Sequence, residues 1–236
     1  MSGGKDPDAT ADRARHAAAE AAFERLAPGM TIGLGSGRAV WRLIDLIAAR
    51  WPAGQPLRAA FASNKTRALA EAAGIQAVEL DGRTTLDLAI DGADEVDPQL
   101  GLIKGGGAAL LREKIVVTAA ARFLVVAETR KRVTRLGETF KLPVEVVRFG
   151  WRDTRRRLLE AGLPSADIRG GEDNPVVTDE GHHLLDCTIP ADADPAALGD
   201  SLKATVGVVE HGLFIGLADE ALLGTPEGNV EVLQAT

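Results

Sequence analysis

The chain has 236 residues, 27 Lys and Arg against 34 Asp and Glu (formal net charge -7), 45% hydrophobic residues and 26% charged ones. That is ordinary for a protein with a sizeable core, and the length suits one large domain or a large and a small one. Aromatics are 4% with no tyrosine, and with the acidic balance this argues against a stacking or phosphate-backbone platform for nucleic acid.

Residues up to about Pro7 read as a disordered tail, and residues 8–26 as an alanine-rich helix with apolar spacing of three and four. Nothing in this stretch has the apolar core of a signal peptide. "GMTIGLGSG" is a short apolar strand running into glycines, and "AVWRLIDLIAARW" is a helix whose apolar face holds Val40, Leu43, Ile44 and Ile47. "LRAAFAS" is strand-like, "NKTRALAEAAG" a helix closed by Gly74, and "LDLAIDGAD" a strand entering a turn. "AALLREKIVVTAAA" is a helix and "RFLVVAE" a strand. Strands alternating with helices predict an α/β fold with a mainly parallel, doubly wound sheet, whose ligands sit beyond the carboxyl ends of strands.

The rhythm changes near Leu142. "LPVEVVRF" is a strand, "WRDTRRRLLEAG" a helix, the stretch around Asp179 to Gly181 hairpin-like, and "DPAALGDSLKAT" a helix. This series predicts a small inserted α+β, ferredoxin-like domain over 142–206, within a catalytic α/β domain of 1–141 plus 207–236. The segment "VVEHGLFIGLADEALLGT" is expected to return the chain to the main sheet. Cys187, the single cysteine, permits no intramolecular disulfide and reads as a small buried apolar residue. No stretch approaches the roughly twenty apolar residues of a membrane span. A cytoplasmic protein without membrane association is expected.

Four strand-to-helix junctions carry chemistry. "GLGSGRAV" lacks the third glycine of a dinucleotide fingerprint, since Arg38 stands there, and no Gly-Lys-Ser/Thr closes it as a Walker loop. What remains is either a generic anion site, with Ser36, Gly37 and Arg38 at a helix N-terminus, or a plain tight turn. "ASNKTRAL" sets Ser63, Lys65 and Thr66 at the next junction, where Ser63 or Asn64 serves as a helix cap. "IDGADE" puts Asp91 and Asp94 around Gly92. If both carboxylates enter one pocket, one has its pKa raised and a proton donor exists near neutrality; otherwise the segment is an aspartate turn. "LIKGGGAALLREK" is the most informative. Gly105, Gly106 and Gly107 permit close backbone approach to a ligand, and with Lys104 their N–H groups suit a developing oxyanion. Glu113 leans back along its helix toward that loop. Lys131, after "FLVVAE", reaches for the same crevice. Carboxylates, lysines and anion sites without a metal-ligand set suggest proton transfer beside a carbonyl. His182 and His183 read as surface residues.

In this order, "GLGSG", "SNKT", "DGADEVD", "KGGGAALLREK", "AETRKRV", "LPVEV" and "GVVEHGLF" closely resemble type A ribose-5-phosphate isomerases, over nearly the whole chain after the tail. The resemblance implies interconversion of ribose 5-phosphate and ribulose 5-phosphate, in the non-oxidative pentose phosphate pathway, with no metal or organic cofactor. It implies Glu113 as the base moving a proton between C1 and C2 through an enediolate. Asp91 and Asp94 match residues holding sugar hydroxyls, with Asp91 also assisting ring opening. The substrate-binding segments it implies are Ser36, Gly37, Arg38 and Ala39; Asp91, Gly92, Ala93 and Asp94; Lys104, Gly105, Gly106 and Gly107; and Lys131. A homodimer or homotetramer acting on a small phosphorylated sugar is expected. One departure stands out: the family's first loop reads G-T-G-S-T, whereas Arg38 and Ala39 replace two of its hydroxyl residues here. An isomerase for another phosphorylated aldose therefore stays open as an alternative, as does a non-catalytic sugar-phosphate sensor. The sensor would need a helix-turn-helix segment, and the sequence before Gly33 holds only one helix.

Overall fold

The computed structural model describes residues 7–52 and 56–235. The expected tail lies outside the described residues, except that Pro7 opens helix α1 (Pro7–Phe23). Alanines let α1 lie directly on the large sheet: Ala18, Ala19 and Ala22 have no exposed surface. A Cβ placed on Gly224 would stand 1.8 Å from Ala14 O. The helix stops three residues before the expected end, because Arg25 and Leu26 donate three residues back, to Ala22 and Phe23. That tighter turn precedes Pro28, which cannot continue a helix.

Strand β1 (Thr31–Leu34) is buried throughout, and α2 (Arg38–Arg50) buries Val40, Leu43, Ile44 and Ile47, the apolar spacing its sequence displays. After β2 (Arg58–Phe61), α3 (Asn64–Ala72) starts where Ser63 Oγ accepts the Thr66 N–H at 3.1 Å. Gly74, with φ 83°, turns the chain into β3 (Gln76–Ala77). Next come β4 (Leu88–Asp91), the two-residue strands β5 (Glu95–Val96) and β6 (Leu102–Ile103), helix α4 (Leu110–Thr118) and β7 (Phe123–Glu128). The chain continues through β8 (Leu142–Val146), α5 (Trp151–Glu160), β9 (Ala166–Ile168), β10 (His183–Cys187), α6 (Pro195–Ala204) and β11 (Val208–His211). It ends with β12 (Leu213–Phe214), β13 (Glu220–Gly224) and β14 (Val230–Gln234).

The large sheet has seven strands in the order β14-β13-β7-β4-β1-β2-β3, all parallel except the edge strand β14. This is the α/β class that the alternating pattern predicts. Side chains of β7 alternate across it: Leu124 and Val126 join the core under α1 and α2, while Phe123, Val125 and Ala127 join the core under α4. Helices on both faces force this strand to be apolar up to its last residue, Glu128.

A four-stranded antiparallel sheet, β11-β8-β10-β9, carries α5 and α6 and has its own core around Val144, Leu158, Leu185 and Leu202. Its elements run β-α-β-β-α-β. Val208–His211 pairs with β8 in this sheet, and β13 is the first later strand of the large one. A third small sheet, β12-β6-β5, links the two. Cys187 is buried in the smaller core, and burial pushes its thiol up to about 12, with Asp186 adding to the effect. The histidines differ from expectation. His183 is buried, with Nδ1 3.0 Å from Val176 O, and His182 Nδ1 lies 2.9 Å from Glu145 Oε1. His183 is itself a residue of β10, and the turn before it is tied to Glu145 of β8 by Thr178 Oγ1 at 2.8 Å, while Asp179 and Glu180 at its tip are exposed. Among the described residues no helix is long and apolar enough to cross a membrane.

Candidate active site

β1 and β4 are neighbours from whose ends the chain leaves in opposite directions, from β1 toward β2 and from β4 toward β7. At such a switch point the connections beyond the carboxyl ends diverge and leave a crevice. A cavity of about 330 Å³ opens there. It is lined by Ser36, Gly37, Arg38 and Ala39 after β1, by Gly92, Ala93 and Asp94 after β4, and by Lys104, Gly105, Gly106 and Gly107 after β6. Glu113 of α4 and Lys131, on the 3-10 turn after β7, complete the predicted set. Asp91 does not line the cavity; it has no exposed surface and lies directly behind Lys104.

Lys104 binds the acidic residues together. Its Nζ stands 2.8 Å from Asp91 Oδ2 and 3.2 Å from Glu113 Oε2, and it donates to Gly92 O at 2.7 Å. All three side chains are at most 4% exposed. Apart from this ammonium, Asp91 Oδ2 and Glu113 Oε2 have no polar partner. The other Asp91 oxygen, Oδ1, accepts from the Ser36 N–H at 3.0 Å and the Gly92 N–H at 2.7 Å. Gly35 makes this possible: a Cβ there would come within 1.8 Å of Asp91 Cγ.

One cation among several buried carboxylates cannot neutralise them all, and the proton affinities reflect that. Burial, then the charge of Asp91, push Glu113 up to about 8, against the pull of Lys104. Burial likewise raises the Asp91 carboxyl, with Lys104 opposing. For Lys104, burial works to lower the pKa, but Asp91 and Glu113 outweigh it and hold the group above its ordinary range. The result is a fixed ammonium beside a carboxyl that changes charge near neutral pH.

The glycine run forms the opposite wall. Gly105 has φ 103° and Ala108 φ 62°. Gly106 N–H donates to Asp94 Oδ2 at 2.7 Å, and a Cβ on Gly106 would collide with that carboxylate at 2.7 Å. Lys131 Nζ stands 3.7 Å from Asp94 Oδ1. On the far side, α2 begins at Arg38, and the left-handed Gly37 (φ 131°) precedes it without a side-chain cap. The amide end of α2 therefore opens on the cavity, and a helix N-terminus favours negative charge. Arg38 is exposed on the rim.

The second junction faces the same crevice. An adjoining cavity of about 250 Å³ is shared by Ser36, Gly37, Ser63 and Lys65. Lys65 Nζ lies 3.7 Å over the Trp41 ring, and Trp41 Nε1 donates to Thr66 Oγ1 at 3.1 Å. Ser63 serves as the cap of α3. Five lining residues have no counterpart among the predicted site residues: Arg15, Trp41, Val126, Glu128 and Arg130. Arg15 Nε donates to Glu128 Oε1 at 2.9 Å, in a buried pair that anchors α1 to the cavity. The one local signal is an arginine on the alanine face of α1, in line with Ala18, Ala19 and Ala22. Among the described residues no group of three or more His, Cys, Asp or Glu is arranged to hold a metal ion.

Residues 59–228 match the family model described as ribose 5-phosphate isomerase A (phosphoriboisomerase A). Ribose-5-phosphate isomerase A of Synechococcus sp. (strain JA-3-3Ab) is 45% identical over 228 residues, covering 96% of this chain and 99% of the relative. That of Roseiflexus sp. (strain RS-1) is 49% identical over 220 residues, covering 92% and 94%. Among solved structures, a D-ribose-5-phosphate isomerase in complex with phospho-erythronic acid superposes with a TM-score of 0.89 at 33% identity, covering 95% of this chain and 99% of the other.

Proposed function

The chain belongs to the ribose 5-phosphate isomerase A family and is an isomerase, and we propose that it interconverts D-ribose 5-phosphate and D-ribulose 5-phosphate with Glu113 as the base. The observation that carries this reading is the buried Glu113 carboxyl, 3.2 Å from the Lys104 ammonium at the wall of a cavity rich in backbone amides. In the aldose-to-ketose direction Glu113 takes the proton from C2 of the open-chain sugar, and the electron pair moves to O1. The enediolate so formed is met by Lys104 and the N–H groups of the glycine run, which are in place before charge develops. Glu113 then returns its proton to C1, while the O2 hydroxyl proton passes to O1. The atoms balance without an oxidant or reductant.

Asp94 holds sugar hydroxyls from the cavity wall, and Asp91 acts on them and on ring opening through Lys104. The phosphate lies at the N-terminus of α2 among Ser36, Gly37, Arg38 and Ala39, with Lys131 nearby. A guanidinium offers two parallel donors to phosphate directly after Gly37, where the family pattern has a hydroxyl. We further propose a cytoplasmic homo-oligomer, with residues 142–206 as the core of a small ferredoxin-like domain and no metal or organic cofactor. Phospho-erythronic acid, a four-carbon acid whose planar carboxylate mimics the two enediolate oxygens, should compete with substrate.

The test is Glu113→Gln, which keeps the shape but cannot accept a proton. It should lower kcat by on the order of 10³ with KM within several-fold, since a positioned base typically contributes about 10²–10⁴. Exchange of the C2 proton with solvent deuterium should disappear as well. A folded variant with near-normal turnover would refute the assignment. Because Arg38 and Ala39 favour a second reading, an isomerase of another phosphorylated aldose, wild type should be assayed on ribose, arabinose and four-carbon phosphates. Highest kcat/KM on ribose 5-phosphate is the expected result.

A further inference from the structure

The glycine run is gripped from outside the large sheet. Gly105, Gly106 and Gly107 lie between β6 and α4 and have no side chains to fix their own backbone. Such a run has many conformations within thermal reach, whereas aiming an N–H at one oxygen requires a single one. Arg169, the residue after β9, supplies a constraint. Its Nη1 donates to Gly105 O at 2.7 Å and lies 3.4 Å from Gly106 O. Asp186 of β10 holds the same guanidinium, accepting from Nε at 3.0 Å and from Nη2 with its second oxygen. This two-pronged fork is the geometry in which an arginine is held in one orientation. The other end of the same peptide is bound too, Gly106 N–H donating to Asp94 Oδ2 at 2.7 Å. The Gly105–Gly106 peptide is therefore pinned at its nitrogen from the turn after β4 and at its oxygen from the four-stranded sheet, the oxygen also accepting the Ala108 N–H of the loop itself at 3.0 Å.

We propose that Arg169, oriented by Asp186, is a positioning residue that sets the Gly105–Gly107 backbone so that its free face presents N–H groups to the reacting end of the substrate. Arg169 does not line the cavity, so it acts through the loop. A cation on the Gly105 carbonyl also polarises the peptide it belongs to, which strengthens the Gly106 N–H bond to Asp94 and so stiffens the loop. The antiparallel sheet thereby shapes the catalytic pocket without contributing a residue to its wall. The inference rests on the isomerase reading only for what the loop is aimed at; the grip itself is independent of it.

Two measurements separate these. With ¹⁵N-glycine label and no substrate, Arg169→Ala should move the amide resonances of Gly105, Gly106 and Gly107 while distant glycines stay in place. In turnover, Arg169→Ala should lower kcat roughly 10–100-fold, the loss usual when a supporting partner of a reacting group is removed, with KM within about threefold. Asp186→Asn should act in the same direction more weakly. Added methylguanidinium should restore part of the Arg169→Ala rate and none of any wild-type rate. Unmoved glycine resonances overturn the grip. An unchanged kcat, or a loss that only tracks the unfolded fraction and is not rescued, overturns the positioning role. A wild type that does not isomerise ribose 5-phosphate refutes the functional reading instead, and the resonances still decide the grip.

Discussion

An ordinary glutamate is a weak base for a carbon-bound proton, and a base gains strength as its pKa rises toward the working pH. Glu113, the proposed base, gains it from burial and from Asp91, which together push it up to about 8. The sign for activity follows directly. Below that value the carboxyl carries a proton and cannot take another, so kcat/KM should fall about tenfold per pH unit below roughly 8. The fall should steepen near about 6, where the substrate's phosphate dianion takes up a proton. A profile flat down to pH of about 5 would mean the free enzyme does not feel this burial. Glu113, Lys104 and Asp94 are legible in the sequence because they sit within a few residues of glycines that mark a loop. Arg15, Glu128 and Arg169 are not: Arg15 finds Glu128 across 113 residues and Arg169 finds Gly105 across 64. No local pattern announces either meeting. Asp91 was legible as a carboxylate in the site, but its position behind Lys104 depends on the approach of Gly35.

At the scale of elements, the long apolar strands and spaced helices were readable, since their periodicity spans enough residues to register. The two-residue strands β5 and β6 were not, because two residues carry no period; they exist because β12 arrives from far along the chain to pair with β6. Likewise β11 looks like any apolar strand, and only its pairing with β8 tells which sheet it joins. Helix α4 is held from behind by Lys114, whose Nζ donates to Glu210 Oε1 and His211 O at 2.8 Å and to Leu213 O at 2.9 Å. Its front is Glu113. The matching support on the other side is the end of β1, where Gly35 leaves room for Asp91. Gly35→Ala puts a methyl group 1.8 Å from the Asp91 carboxyl carbon, and nothing there is the free end of a flexible chain. Asp91 must then move, and Lys104 with it. Overpacking of this kind costs typically 1–3 kcal/mol (about that range here), so thermal denaturation should show a lower Tm and kcat should fall more than stability explains. A variant with wild-type kcat would mean that the Asp91–Lys104 contact does not set the site.

For the whole molecule, the site is a strain on the fold that the two cores must carry. A carboxyl kept at about 8 in the folded chain, against 4.5 ordinarily, binds its proton more tightly folded than unfolded. Stability therefore falls as pH rises through the interval between those two values, where the unfolded chain gives up the proton and the folded one keeps it. Above about 8 the folded protein holds an ionised, buried Glu113 at a cost on the order of a few kcal/mol, each pKa unit being worth roughly 1.4. Glu113→Gln removes that cost, because an amide of the same shape never ionises. The variant should match wild-type Tm near pH of about 5, where both side chains are neutral, and should exceed it progressively toward pH of about 9. The gain comes with the loss of turnover, the trade expected where a group is held in an unfavourable state for its chemistry. Scanning both proteins by calorimetry across that range checks the sign. A Tm difference that is constant with pH, or that shrinks as pH rises, would show that Lys104 stabilises the Glu113 charge more than burial opposes it, and the base would then be an ordinary low-pKa carboxylate.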